Sequence, residues 1–171
     1  MLRKLILLFS IFLIISCNDS KSKETKIEGS STKTSTENTI VNSIGELLNE
    51  ESRILVENWK EYQILNEELN SYYTITTEEA LFKAKDISNY AKELRDSIKI
   101  DFLDRPDVKI RLNVFYTVAL RLSDMETIQS IKSDEVKAEI TNLLVAFSAI
   151  NSKINNIVVQ KKLEKELTNF E

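Results

Sequence analysis

The sequence has no histidine, one cysteine, one proline, one tryptophan and two glycines in 171 residues. Without histidine it lacks the commonest general base, Ser-His and Cys-His nucleophiles, and most zinc, haem and di-iron sites built inside helical bundles. Only Gly29, Gly45 and Pro106 are strong breakers, so long uninterrupted helices are favoured over a turn-rich β-fold. No EF-hand loop, glycine-rich phosphate loop or nucleophile elbow occurs. The carboxylate pairs Glu50-Glu51, Glu67-Glu68 and Glu78-Glu79 are adjacent in sequence, so they splay apart on a helix and read as solvated faces or first-turn charges. Neither an enzyme nor a bound metal or cofactor is expected.

Long apolar runs are also scarce, with one exception. Arg3 and Lys4 precede Leu5 to Ile15, an apolar run broken only by Ser10. This is the layout of a secretory signal, a basic start followed by a short apolar stretch. Eleven helical residues reach roughly 16 Å, about half of a hydrocarbon core, so a permanent span is disfavoured. The run ends in Ile14-Ile15-Ser16-Cys17, an aliphatic, a tolerant and a small residue before the only cysteine. That tetrad resembles the lipobox of bacterial lipoproteins, with Ile14 where leucine is commoner. The resemblance covers residues 1–17. It implies cleavage between Ser16 and Cys17, attachment of diacylglycerol to the Cys17 thiol and acylation, with palmitate for example, of the new amino group. Several acyl chains hold a protein firmly to a membrane, at roughly 0.8 kcal/mol per buried CH₂. The plainer alternative for Cys17 is a leftover thiol open to intermolecular pairing. Asn18 rather than aspartate follows the cysteine, which in the better-known sorting rule of that family favours the outer over the inner membrane.

Loss of residues 1–16 removes Arg3 and Lys4 from 23 basic residues, leaving 21 against 27 acidic ones and a net charge of −6. No basic stripe is present, so nucleic acid is not an expected partner. From Asn18 to about Thr39 the chain is polar, with Ile27 its one large apolar residue, and such a stretch reads as an extended tether reaching on the order of 25 Å. Three domains are therefore expected: a cleaved signal at 1–16, a lipidated cysteine and tether at 17–40, and a helical bundle at 41–171.

Four helices are read in the bundle. The first starts at a capping box, Ser43-Ile44-Gly45-Glu46, and continues to about Tyr72 with the seam Ile44, Leu48, Leu55, Trp59, Tyr62, Leu69. Ser52 and Asn66 occupy seam positions as polar residues, either fixing register or sitting at the margin. A second box, Thr76-Thr77-Glu78-Glu79, opens a helix with the seam Ala80, Ala84, Ile87, Ala91, Leu94, Ile98, whose alanines permit close approach. Pro106 belongs in the first turn of the third helix, capped by Asp104 or Arg105, with the seam Val108, Leu112, Phe115, Ala119, Leu122, Met125. Ser133 caps the fourth, whose seam is Val136, Ile140, Leu143, Phe147, Ile150, Ile154, Ile157, fading through Leu163 and Leu167.

Short connections make the expected assembly an all-α, up-down-up-down antiparallel four-helix bundle, helices one and four being longer (roughly 45 to 55 Å) than two and three (about 35 Å). The start of helix one would then lie by the end of helix four in a two-helix stem, with Glu46, Glu50 and Glu51 facing Lys161, Lys162 and Lys165. Tyr72 and Tyr73, at the exit of helix one, are candidate partner-binding residues or simple end-caps of the core. Arg111, on the most apolar helix, is an ion-pair partner or a snorkelling side chain. The function expected is that of a non-enzymatic, membrane-anchored envelope lipoprotein presenting its bundle for macromolecular interaction. The alternative is a periplasm-facing structural or assembly factor that self-associates through the stem.

Overall fold

Local sequence decides three of the helices. In the computed structural model, which describes residues 39–43 and 45–169, the Thr76 hydroxyl accepts the Glu79 N–H at 3.1 Å and starts a helix over Thr77–Asp96. Pro106 occupies the first turn of Pro106–Met125, after Arg105 in an extended conformation. Glu135 accepts the Lys132 N–H at 3.1 Å, and the longest helix runs over Ser133–Thr168 with Lys132 at its cap position, so Ser133 is its first residue and not its cap. We label these α3, α4 and α5. Their seams are buried as the spacing requires: Ala80, Ala84, Ile87, Ala91 and Leu94; Val108, Leu112, Phe115, Ala119 and Leu122; and Val136 through Ile157. Met125 is half-buried at the last residue of α4, whereas Ile98, expected on the seam of α3, is half-buried beyond that helix's end in the connection to α4. Among the described residues the chain is mostly helical, an all-α fold.

The first expected helix does not form as one. Residues Gly45 to Asn49 are non-helical; α1 covers Glu50–Val56 and α2 covers Lys60–Ser71, with a break between them. Ser43 is therefore not a cap. The Glu46 N–H it would have helped to order is donated instead to Ser148 Oγ of α5 at 2.6 Å, and the cap of α1 is Asn49, whose side-chain oxygen accepts the Ser52 N–H at 2.8 Å. At the break, Trp59 has φ −86° and ψ 85°. The Val56 carbonyl, which a continuous helix would bond to Lys60, accepts the Gln63 side-chain amide at 2.9 Å. Burial of Trp59, whose indole N–H donates to Ser97 Oγ at 2.9 Å, rewards the bend.

Upstream, β1 (Ile40–Val41) pairs antiparallel with β2 (Thr74–Ile75), Ile40 opposite Ile75 and Val41 opposite Thr74. The hydrogen bonds of the following segment track along α5 in one direction, from Asn42 with Thr141 to Glu46 with Ser148 and Asn49 with Asn155. This N-terminal segment therefore runs parallel to α5 and begins near its start, not at its end as the stem would require. Of the stem's expected charge pairs, Glu51 with Lys162 forms at 2.6 Å. Glu50 pairs with Arg53, Glu46 turns to Asn155, and Lys161 lies over the Phe102 ring at 3.9 Å.

One apolar core joins these elements, with α3 packed on α2 and α4, α4 on α5, and α1 on α5. An aromatic row runs through it: Trp59, Tyr62, Phe147 and Phe115, successive ring centroids 5.8, 5.7 and 5.7 Å apart. Leu103 is buried and Phe102 half-buried in the α3–α4 connection, so that both fold back on the core end. From Val159 to Asn169 every residue of α5 and its cap is exposed.

Candidate interaction surface

The two tyrosines at the exit of α2 have different fates. Tyr72 is fully buried, its hydroxyl donating to the Ala80 carbonyl at 3.3 Å. Burial, seconded by the nearby carboxylates of Glu68, Asp86 and Glu79, pushes its phenol well above the usual range. It is a core residue and presents no surface to a partner. Tyr73 is half-buried; its carbonyl accepts the Asn42 N–H at 3.0 Å, and burial raises its phenol pKa. Ser16 and Cys17 lie outside the described residues. Arg111 is half-buried and donates to the Asp107 carbonyl one turn earlier at 2.7 Å, without an acidic partner among the described residues.

Sequence reasoning missed the most organised polar feature. Ser148, Asn151 and Asn155 recur at three- and four-residue steps, a polar stripe beside the apolar stripe Phe147, Ile150, Ile154, and together they hold the backbone of the N-terminal segment. Ser148 Oγ accepts from the Glu46 N–H at 2.6 Å, and the Asn151 amide donates to the Glu46 carbonyl at 3.0 Å. Asn155 donates to the Leu47 carbonyl at 2.9 Å and to the Glu46 carboxylate at 3.1 Å, while its oxygen accepts the Asn49 N–H at 3.0 Å. The hydrogen bonds from Asn155, then Ser152, hold the Glu46 carboxyl below its usual range against the opposing effect of burial. Beneath this ladder, the buried Tyr62 hydroxyl donates to Asn151 Oδ1 at 2.8 Å, which fixes the amide's orientation. Gly45 completes the fit, because a Cβ there would stand 2.6 Å from Ser148 Cβ and Oγ. Such a ladder reads peptide backbone rather than side chains.

Between this segment and α2 lies an open cleft of about 440 Å³, lined by Leu48, Arg53, Val56, Gln63, Asn66 and Asn70 among others. Its polar groups are the three amides of Gln63, Asn66 and Asn70, the Arg53 guanidinium, the Glu57 carboxylate and the Tyr62 phenol, a set suited to hydrogen bonding. Elsewhere the surface carries isolated apolar residues: Phe82, 82% exposed on α3, Ile110 and Val114 on α4, and Val145 on α5. Among the described residues no group of three or more cysteine, aspartate or glutamate side chains is placed to hold a metal, and no helix is long and apolar enough to cross a membrane. No known protein family, curated protein or solved structure matches this chain.

Proposed function

We propose that this chain is a lipid-anchored lipoprotein of the bacterial envelope, non-enzymatic, whose helical domain is held out from the membrane to contact another macromolecule. The observation that carries this reading is Ile14-Ile15-Ser16-Cys17, with the only cysteine at the one place lipidation requires. The missing histidine, together with a ladder of asparagine amides that holds peptide backbone, supports a binding role over catalysis. In its finer form the domain is an up-down-up-down four-helix bundle in which α2 is the first member. The packing of α2 on α3, α3 on α4 and α4 on α5 supports this, and the Tyr62 ring of α2 lies 5.7 Å from that of Phe147 on α5. Outer-membrane placement follows from Asn18 under the sorting rule of the family that residues 14–17 resemble.

A second reading, self-association through the end of α5, is favoured by Val159, Leu163 and Leu167, three exposed apolar residues spaced by four on one helical face. It would make the protein a structural or assembly factor of the envelope.

The test is expression of the full chain in a diderm bacterium grown with labelled palmitate, beside a Cys17→Ala form, with a tag after Glu171 and protease added to intact cells. The expected result is label on the wild type alone and release of the Cys17→Ala form from the membrane fraction. Retention of label and membrane binding by Cys17→Ala would overturn the anchor. Loss of the tag from intact cells points to partners outside the cell; survival until lysis points to envelope partners.

A further inference from the structure

The break between α1 and α2 is not demanded by local sequence. Glu57-Asn58-Trp59 contains neither glycine nor proline, and Leu55, Trp59 and Tyr62 keep helical spacing across it. Glu57 still has helical angles, φ −55° and ψ −35°; Trp59 departs from them in ψ. The bend is maintained by three bonds: the Trp59 N–H and the Gln63 side-chain amide on the Val56 carbonyl, both at 2.9 Å, and the Trp59 indole on Ser97. A local preference for one conformation opposed by a tertiary arrangement imposing another is a hinge with two states.

On the N-terminal side of that hinge, Gly45 to Val56 form an arm fastened to the rest of the domain largely through α5. The fastenings are the bonds from Ser148, Asn151 and Asn155 to the arm's backbone and the Glu51–Lys162 pair. The arm buries few apolar side chains: Val56 is buried, Leu48 half-buried, and Leu47 and Ile54 are exposed. Backbone-reading bonds are satisfied equally by the arm of another molecule of the same chain, and so is the Gly45–Ser148 fit.

We propose that this arm is exchanged between two copies of the chain: in the exchanged dimer each arm lies on the other copy's α5, and the Trp59 hinge straightens so that α1 and α2 become one helix. Exchange re-forms every bond between arm and α5, so the balance rests on the hinge and on concentration. The three bend-holding bonds are given up, and the helical bonds across residues 57–60 are gained. β1, just upstream, travels with the arm. The inference rests on the described domain and does not depend on the lipid anchor or on self-association through the end of α5.

The experiment uses the full chain in detergent with Cys17→Ser, so that engineered thiols are the only ones. Two differently tagged copies, one Glu51→Cys and one Lys162→Cys, are co-expressed and treated with a short bis-maleimide. A doubly substituted copy is treated alongside. The expected result is a linked species carrying both tags, together with linkage both within and between chains in the double variant. Gln63→Ala, which removes a bond made only in the bent state, is expected to raise the two-tag fraction about fivefold. The proposal is overturned if the double variant links only within single chains and the two-tag species is absent, or if the double variant does not link at all. It is equally overturned if Phe82→Cys, on exposed α3, links to Lys162→Cys as well as Glu51→Cys does, or if Gln63→Ala leaves the fraction unchanged.

Discussion

Ser52 is a fully buried residue whose hydroxyl has no hydrogen-bond partner among the described residues. An orphaned buried hydroxyl costs about 1–3 kcal/mol of desolvation, more than a serine's packing returns. Ser52→Ala is accordingly expected to leave the fold unchanged and to raise stability by about 1 kcal/mol, read as a higher urea midpoint at constant slope; a loss of stability would mean that the hydroxyl has a partner, for instance a buried water. The spacing of the apolar seam marked Ser52 as an inward position, and it is one. It does not fix register through a hydrogen bond, whereas the polar residues that do order the chain, Asn151 and Asn155, are a helical step from seam residues on α5. Their role was invisible because an asparagine beside a seam looks the same whether it meets water or a backbone carbonyl from a residue about 105 positions away.

At the scale of elements, α4 and α5 are tied by two ion pairs, Asp107 with Lys153 at 2.6 Å and, of more unequal burial, Arg121 with Glu139. Glu139 of α5, its side chain 8% exposed, accepts from Arg121 Nε of α4 at 2.8 Å and from the Asn142 amide at 3.1 Å. Removing the guanidinium leaves a buried carboxylate with one weaker donor, a costly change, although Arg121 itself is half in water and its share is screened. Arg121→Ala is expected to cost about 1–2 kcal/mol in chemical denaturation, and Arg121→Ala combined with Glu139→Leu is expected to recover most of it. Equal losses in the single and double variants would show that the arginine acts through its packing alone. The helices α3 and α4 were legible in the sequence because their signals are local: a hydroxyl cap three residues before its N–H, a proline at a first turn, apolar residues at three- and four-residue steps. The arm and the α1–α2 break were not, because the bonds that fasten the arm reach α5 and the Trp59 indole at the bend reaches Ser97, all far along the chain.

For the whole molecule, the core ends well before α5 does. Among the described residues Ile157 is the last buried one, and beyond Lys162 every described residue is exposed. A chain stopped after Lys162 is expected to keep its thermal midpoint within about 2 °C, since only exposed helical turns are lost; a larger fall would place a contact of those turns on the folded domain. The same deletion removes Leu163 and Leu167, so sedimentation of the truncated and full chains separates self-association through this end from arm exchange, which it leaves intact. By itself the sequence determined the helical class and the buried faces of α3, α4 and α5, with their ends to within a few residues, since helix periodicity, caps and breakers act within a few residues of where they are written. It also carries the tetrad at residues 14–17 on which the proposed anchor rests. Only the tertiary structure decided that the segment before α1 is extended, that it runs parallel to α5 and that the first helix bends at Trp59. Those outcomes depend on hydrogen bonds and burial between residues far apart in the chain, which periodicity does not record.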